Sequence, residues 1–439
     1  LVKRFPIVYL PVEIRSREFD SKMLIAAALA KRGYSVVVGE QWTIYNNFPR
    51  LPPGAVLFKS MNMLHQAAML EAKGAHHSIF VLEEELLAHT QKKAIEGFCV
   101  PGIFEIPDVM LATGAFEKSV FAELSGGKVE IEIAGNPRVD FLKPAFRSFF
   151  KRGIDTLRAH FGDFILVNTN FGITNSVWRD IDEIKRIFVE SGFLRLDDPQ
   201  SVSAFEDKVA FELANKAGII AAIEELSRRR PSLNIVVRPH PAEAMGHWKG
   251  LSARLPNVQI IREGAHVPWT LACKVLLHTS CTTGFEAAVA GKMSMSLAPR
   301  LSWLTESFIY NRLNPVFSDP ITLVDAVEAY LDRGEPPAAG PSHLSPGEAA
   351  DFVWNIGDKN SAQRLSVLLT KDLPSPRGRV PLPPLAPYDR GETQKRKLTV
   401  SLEECGDVLA RIIGIIGKGQ MFGLDQIGDS LFYLSPAAK

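Results

Sequence analysis

The sequence predicts an α/β protein built from two Rossmann-type domains whose parallel sheets face a central cleft. Three observations carry that expectation. At 439 residues the chain is too long for one hydrophobic core. Short apolar runs alternate with amphipathic stretches of helical length, as parallel sheets covered by helices require. The alternation pauses near residue 145 and then restarts, so the unit occurs twice.

In the first domain, residues 1–145, strands are expected at 7–10, 35–39, 55–58, 78–82, 109–112 and 129–134. A helix is expected at 21–31, with Gly33 placed to end it. A basic amphipathic segment at 144–161 reads as the crossing between domains. The second domain, 146–333, offers strands at 164–168, 234–238, 258–261, 275–278 and 293–297, a long helix at 203–229 and another after Gly284. From 334 the composition changes. Residues 334–398 read as a Pro-rich linker with one helix, extended at 374–387 by its six prolines, and 399–439 as a helical tail.

Composition excludes several classes. Lys plus Arg is 50 and Asp plus Glu is 49, so bulk binding to nucleic acid is not expected. Hydrophobic residues at 46% and charged residues at 23% are ordinary for a folded chain and exclude disorder throughout. Cys99, Cys273, Cys281 and Cys405 form no paired motif and read as thiols of a reducing compartment. No apolar stretch reaches the roughly 18 residues of a spanning helix, and the start lacks the apolar core of a signal peptide. A cytoplasmic location is therefore expected. The apolar stretch 411–416 with Lys418 fits the inner face of a membrane, although packing on the first domain is the commoner role for such a helix.

Ligands of such sheets sit at the carboxyl ends of the strands, so the turns there are the candidate site. Arg238-Pro239-His240-Pro241 follows one strand. Its prolines stiffen the turn, and His240 could donate to a phosphate oxygen or protonate a leaving group. His278-Thr279-Ser280-Cys281-Thr282-Thr283-Gly284-Phe285-Glu286 follows another. Hydroxyls and a glycine opening a helix make an anion site, and Thr283 with Glu286 also fits a capping box. Glu286 could instead face ribose hydroxyls. Gly135-Asn136-Pro137-Arg138-Val139-Asp140 permits a sharp turn, with Arg138 and Asp140 able to pair across the cleft. Glu83-Glu84-Glu85 ends a strand and suits a general base, or, taken alone, a solvated acidic helix start. Glu13, Arg15, Arg17, Glu18 and Asp20 crowd the end of the first strand as a cleft wall or a salt-bridged surface. Asn168 and Asn170 lie in a polar loop where a donor sugar would project.

These segments together resemble the bacterial surface carbohydrate biosynthesis proteins, relatives of the capsule-type Kdo transferases, and more distantly the bacterial sialyltransferases with an HP motif. The matching residues are Arg238 to Pro241, His278 to Ala287 and Gly135 to Arg138, within a resemblance spanning 7–330. The resemblance implies a GT-B fold and a CMP-activated 2-keto acid sugar. It implies that His240, Ser280, Thr282 and Thr283 bind the CMP phosphate. The acidic-acidic-Gly motif that supplies the base in sialyltransferases matches Glu83-Glu84, with Glu85 in place of the glycine. The Asp nucleophile of retaining Kdo transferases has no counterpart in Asn168 to Asn175, so a covalent glycosyl–enzyme route is poorly supported.

The expected function is transfer of a sugar, Kdo or a sialic-acid-like 2-keto acid sugar, from its CMP donor to a glycan or lipid-linked glycan. Glu84 is chosen narrowly over Glu83 as base. Arg238, His240, His278 and the Ser280 to Glu286 segment hold the nucleotide. No metal or other cofactor is expected, since no ligand spacing stands out. Three alternatives share the pattern: a nucleotide-sugar 2-epimerase, a polymerase using CDP-linked alcohols, and a non-catalytic subunit of polysaccharide assembly.

Overall fold

The computed structural model of the chain describes residues 4–87, 89–177, 180–190, 194–338, 340, 343–376, 378–417 and 422–436. It divides into two compact units, Leu1–Phe149 with Pro346–Lys439, and Phe150–Ser345. Each is an α/β unit on a largely parallel sheet, the fold class that the sequence predicts.

The strands in chain order are β1 (Ile7–Val12), β2 (Ser35–Glu40), β3 (Ala55–Phe58), β4 (Ser78–Leu82), β5 (Val109–Ala112), β6 (Glu130–Ile133), β7 (Phe164–Asn168), β8 (Asn234–Arg238), β9 (Val258–Ile260), β10 (Val275–His278), β11 (Ser294–Leu297), β12 (Val316–Phe317), β13 (Phe422–Gly428) and β14 (Leu431–Pro436). The first sheet runs β13-β14-β2-β1-β3-β4-β5-β6 and the second β12-β11-β10-β7-β8-β9. Strands such as β1 and β7 are buried at every position. Covered on both faces, they read in the sequence as unbroken apolar runs. In the second unit, one face packs on helices Pro199–Arg229, Met245–Arg254 and Pro320–Arg333, and the other on Lys151–Phe161, His266–Ala272 and Thr282–Val289.

The carboxyl-terminal quarter corrects the sequence reading. Residues 346–439 join the first unit instead of standing apart as linker and tail. The proline-rich stretch is extended but strapped down. Val380 N–H donates to Ser35 Oγ (3.2 Å) and Tyr433 Oη (3.0 Å), and Ala386 N–H donates to Asn47 Oδ1 (2.7 Å). Prolines have no donor to satisfy, so few such anchors suffice. Among its described residues the tail is helical over Leu402–Ile416, whose buried Cys405, Val408, Leu409 and Ile412 form one stripe. Cys405 Sγ meets Met23 Sδ of helix Asp20–Lys31 at 3.9 Å, so this stripe packs on the first unit. The Arg411 guanidinium lies 4.2 Å over the Phe149 ring; Lys418 lies outside the described residues. No helix among the described residues is long and apolar enough to cross a membrane.

The tail then forms the hairpin β13–β14, and β14 pairs antiparallel with β2. Gly39 makes that pairing possible. Its φ is +137°, and a Cβ there would stand 2.1 Å from Ser430 O. Only a residue without a side chain lets the hairpin turn approach the end of β2.

Candidate functional site

In the second unit, cross-strand register sets four polar residues in a row on one sheet face. Ser296 pairs with His278, His278 with Asn168, and Asn168 with Arg238. Paired residues of parallel strands point the same way, here toward the face covered by helices His266–Ala272 and Thr282–Val289. Arg238 donates to the carbonyls of Glu263 (2.7 Å), Gly264 (2.8 Å) and Arg262 (3.3 Å), and lies 4.7 Å over the Trp269 ring. Burial pulls the guanidinium down to about 10, against the attraction of Glu263. These bonds commit Arg238 to the loop after β9. Asn168 is buried, and its Oδ1 has no partner among the described residues.

His278 is fully buried, and burial holds its ring neutral, down to about 3. Its Nδ1 accepts from Cys281 N–H at 3.3 Å. A Cβ at Gly284 would stand 2.2 Å from His278 Nε2 and 2.5 Å from Cε1. Gly284 is thus the space into which the ring fits. His278 is therefore a support beneath the helix, not a charged ligand for phosphate. Gly284→Ala is expected to destabilise the protein by about 1–3 kcal/mol through overpacking. Adding His278→Ala should return most of that loss in thermal unfolding; equal stability of Gly284→Ala and wild type would show that the ring moves aside.

The turn before that helix also differs from expectation. Ser280 takes the left-handed conformation, φ +57°, unusual for a residue with a side chain. Asn311 Nδ2 donates to its Oγ (2.9 Å), and Asn170 Nδ2 to its carbonyl (3.0 Å). The left-handed turn starts the helix early, so Cys281 is the N-cap and Thr282 the first helical residue. Thr283 already lies inside the helix, and the capping box expected of Thr283 and Glu286 does not form. Buried Glu286 pairs instead with the ring of His266. Thr282 is exposed and Thr283 half-buried at the opening turn, where amides lack intrahelical acceptors.

One buried carboxylate, missed in the sequence, ties these turns together. Glu243 Oε1 accepts from Thr169 Oγ1 (2.6 Å), His240 N–H (3.0 Å) and Phe171 N–H (3.1 Å). Its Oε2 accepts from Trp248 Nε1 (3.0 Å) and Asn175 Nδ2 (3.2 Å). The His240 ring itself is exposed. Asn170 adds a second tie, since its Oδ1 accepts from Thr279 Oγ1 at 3.0 Å while its amide holds Ser280. The ends of β7, β8 and β10 are thereby stitched into one surface carrying His240, Thr282 and Thr283.

The first unit gathers a different chemistry at its strand ends. The chain leaves β1 through a π-helical turn, Arg15–Phe19, that buries Glu18. Glu18 accepts from Lys59 Nζ (2.7 Å) and from Glu13 N–H (2.7 Å). Burial acts to raise the Glu13 carboxyl, but Lys59 and Lys397 prevail and bring it down to about 2. Arg15 pairs with Asp20 (3.0 Å) and Glu404 (2.8 Å), and Arg17 with Glu85. The charges crowded after β1 are thus paired, largely with Lys59, Glu85, Lys397 and Glu404 from elsewhere in the chain.

Glu83 and Glu84 leave β4 in opposite directions, and both are buried. A solvated helix start is therefore excluded. Glu84 Oε1 pairs with Lys22 Nζ at 2.6 Å. Burial pushes that carboxyl up, but Lys22, with Arg138 and Lys59, outweighs it and holds it below its ordinary range. Glu83 accepts from Met61 N–H (2.7 Å) and Glu85 N–H (3.1 Å), with no cation among these bonds. Burial carries it up to about 7 despite them. Glu117, also missed in the sequence, is buried and pushed up to about 7 by the same cause.

Asn136 and Asp140 are structural. Asn136 exchanges two hydrogen bonds with Asn355 (3.0 and 2.9 Å). The Asp140 carboxylate accepts from Asn355 Nδ2 (2.8 Å), Ala362 N–H (2.9 Å), Lys143 Nζ (3.1 Å) and Ser361 N–H (3.2 Å). Asp140 is thus engaged by the returning carboxyl-terminal segment rather than poised for Arg138, whose charge reaches Glu84. No group of three or more metal-ligating side chains occurs among the described residues.

With this geometry in hand, comparison with solved structures finds the same fold. A UDP-N-acetylglucosamine 2-epimerase superposes with a TM-score of 0.51 at 12% identity, over 85% of this chain and 99% of that one. The wall teichoic acid polymerase TagF gives 0.48 at 13% identity, over 84% and 89%. The UDP-GlcNAc 2-epimerase of Neisseria meningitidis gives 0.43 at 13%, over 82% of each chain. At 12% identity the likeness to the first of these is one of fold. No protein-family profile and no curated protein matches the chain.

Of the missed residues, Lys22 and Lys59 have partners distant in sequence. Lys22 meets Glu84, and Lys59 meets Glu13 and Glu18, across the sheet. Glu243 and Glu117 also bond locally, to the N–H groups of His240 and Thr113, three and four residues away.

Proposed function

We propose that this chain is an enzyme acting on a nucleotide-activated sugar. The second unit holds the nucleotide's phosphates at His240 and the helix opening at Thr282 and Thr283. The first unit supplies acid–base chemistry through Glu83. The observation that carries this reading is the Glu83 carboxyl, buried at a strand end and poised at about 7, where a group can both take and return a proton. Glu83 therefore replaces Glu84 as the base, because Glu84 is spent on Lys22.

The fold likeness to a UDP-N-acetylglucosamine 2-epimerase favours a 2-epimerase-like reaction among the finer readings. Inversion at carbon 2 requires a proton to leave and return there, and release of the free sugar requires water to replace the nucleotide at carbon 1, with no sugar acceptor. Transfer of a CMP-linked 2-keto acid sugar to a glycan, which the sequence resemblance implies, is the reading that the same experiment separates.

The protein is incubated with UDP-, CDP- and CMP-sugars without acceptor, and released nucleotide and free sugar are measured. Release of UDP with free sugar is expected. His240→Ala should weaken nucleotide binding by about tenfold or more, the scale of one lost hydrogen bond to a charged group. Release of CMP only when a glycan is added would make the chain a transferase. Neither binding nor release with any of the three would overturn the enzymatic reading.

A further inference from the structure

The geometry points to Glu243 as the positioning residue that closes the His240 turn and thereby sets the tautomer of the His240 ring. This inference rests on the nucleotide-binding reading of the second unit. It assigns a role to a side chain that never meets the ligand itself.

Two sets of bonds define the His240 turn. Glu243 Oε1 accepts from the His240 amide at 3.0 Å, and Glu243 N–H donates back to His240 O at 2.8 Å. Within that closed turn, Ala242 N–H donates to His240 Nδ1 at 3.2 Å. A neutral imidazole that accepts at Nδ1 carries its proton on Nε2. Nε2 is then the donor atom of the ring. The ring cannot take a proton there, and protonating Nδ1 would set two N–H groups against each other. The ring suits holding a phosphate oxygen rather than shuttling protons.

Glu243 is what keeps the turn closed. It is fully buried, and all five of its bonds come from donors on three separate segments: the loop after β7, the His240 turn and helix Met245–Arg254. A carboxylate presents only acceptors and can satisfy all five. An amide of the same shape cannot, because its NH2 would face either Thr169, Phe171 and His240 or Trp248 and Asn175. Glu243→Gln should therefore open the turn, release Ala242 N–H from Nδ1 and let the ring exchange tautomers. The Pro239 and Pro241 rings limit the turn's freedom but supply no donor or acceptor that could replace the carboxylate.

The test uses UDP affinity by calorimetry together with nitrogen-15 NMR of the histidine rings, on the full chain. Glu243→Gln is expected to weaken UDP about tenfold, and His240→Ala placed on top of it to cost less than about twofold more, because the two act through one contact. His240→Gln, which keeps an N–H donor, should bind better than His240→Ala. The ring of His240 should be a single Nε2–H tautomer in the wild type and a mixture in Glu243→Gln. If Glu243→Gln does not fold, Thr169→Val removes the shortest donor alone and should shift the same tautomer signal. A Glu243→Gln protein that melts earlier yet binds UDP as tightly as wild type overturns the inference. So does a tautomer that stays unchanged. If the wild type binds no nucleotide, the functional reading fails, and the tautomer measurement alone then decides the role of Glu243.

Discussion

Replacing Glu83 by Gln is expected to lower turnover of the nucleotide sugar by a factor of about 10² to 10⁴ while leaving nucleotide affinity nearly unchanged. The side chain stays the same size and can still accept from Met61 N–H, so the loop after β4 keeps its anchor. The exchangeable proton is lost, together with the second acceptor, which Glu85 N–H uses at 3.1 Å. The same group leaves a mark on stability that needs no substrate. Its folded pKa of about 7 stands above the ordinary 4.5. Between these values the folded state holds a proton that the unfolded chain has released. The stability it confers is complete below about pH 4.5 and is lost as pH rises through about 7. Gln does not titrate. The melting temperature of Glu83→Gln relative to wild type should therefore climb from pH 5 to pH 8. Glu117 carries a shift of the same sign in both proteins and largely cancels in the difference. A difference that stays flat across that range, with turnover near wild type, would remove Glu83 as the base.

How far the sequence discloses this molecule depends on the range of the interactions involved. Strands such as β1, β3, β7 and β10 were legible because burial on both faces writes each as an apolar run, and stretches of helical length separate them. The hairpin β13–β14 was not. Its run Leu431-Phe432-Tyr433-Leu434 is as apolar as any, but its partner is β2, at the other end of the chain, and the pairing depends on the bare backbone of Gly39. The candidate site shows the same division. Arg238 to Pro241 and His278 to Glu286 announce themselves as polar turns after apolar strands. Which way each side chain points is set by sheet register, which the sequence leaves unspecified. Register sends Arg238, Asn168 and His278 beneath helices His266–Ala272 and Thr282–Val289, while the turn residues His240 and Thr282 are exposed. It also decides between Glu83 and Glu84. Neighbours on an extended segment point to opposite sides, so one meets Lys22 and the other the amide of Met61.

That division leads to the second large effect. Lys22→Met is expected to destabilise the protein by about 3–5 kcal/mol, and to lower the melting temperature by about 10 °C, because it leaves a carboxylate buried without its partner. The Lys22 and Glu84 side chains are 0% and 1% exposed, so water screens nothing. Glu84 Oε2 has no hydrogen-bond partner among the described residues, which leaves Lys22 as the principal compensation for the charge. Because the pair holds Glu84 below its ordinary range, the stability it confers is present above about pH 4.5 and is lost as pH falls. The penalty of Lys22→Met should therefore be largest at neutral pH and shrink in acid, where Glu84 takes up a proton and no longer needs the ammonium. Removing both charges, as Lys22→Met with Glu84→Leu, should recover most of the loss, since a buried pair replaced by apolar groups of similar volume is often neutral. The recovery is read as the coupling energy of a double-mutant cycle. The same protein settles the role of Glu84 in catalysis. If turnover survives in the stable double variant, the pair is a structural strut and Glu83 stands as the base. If the double variant folds as well as wild type and is inactive, the ion pair belongs to the chemistry.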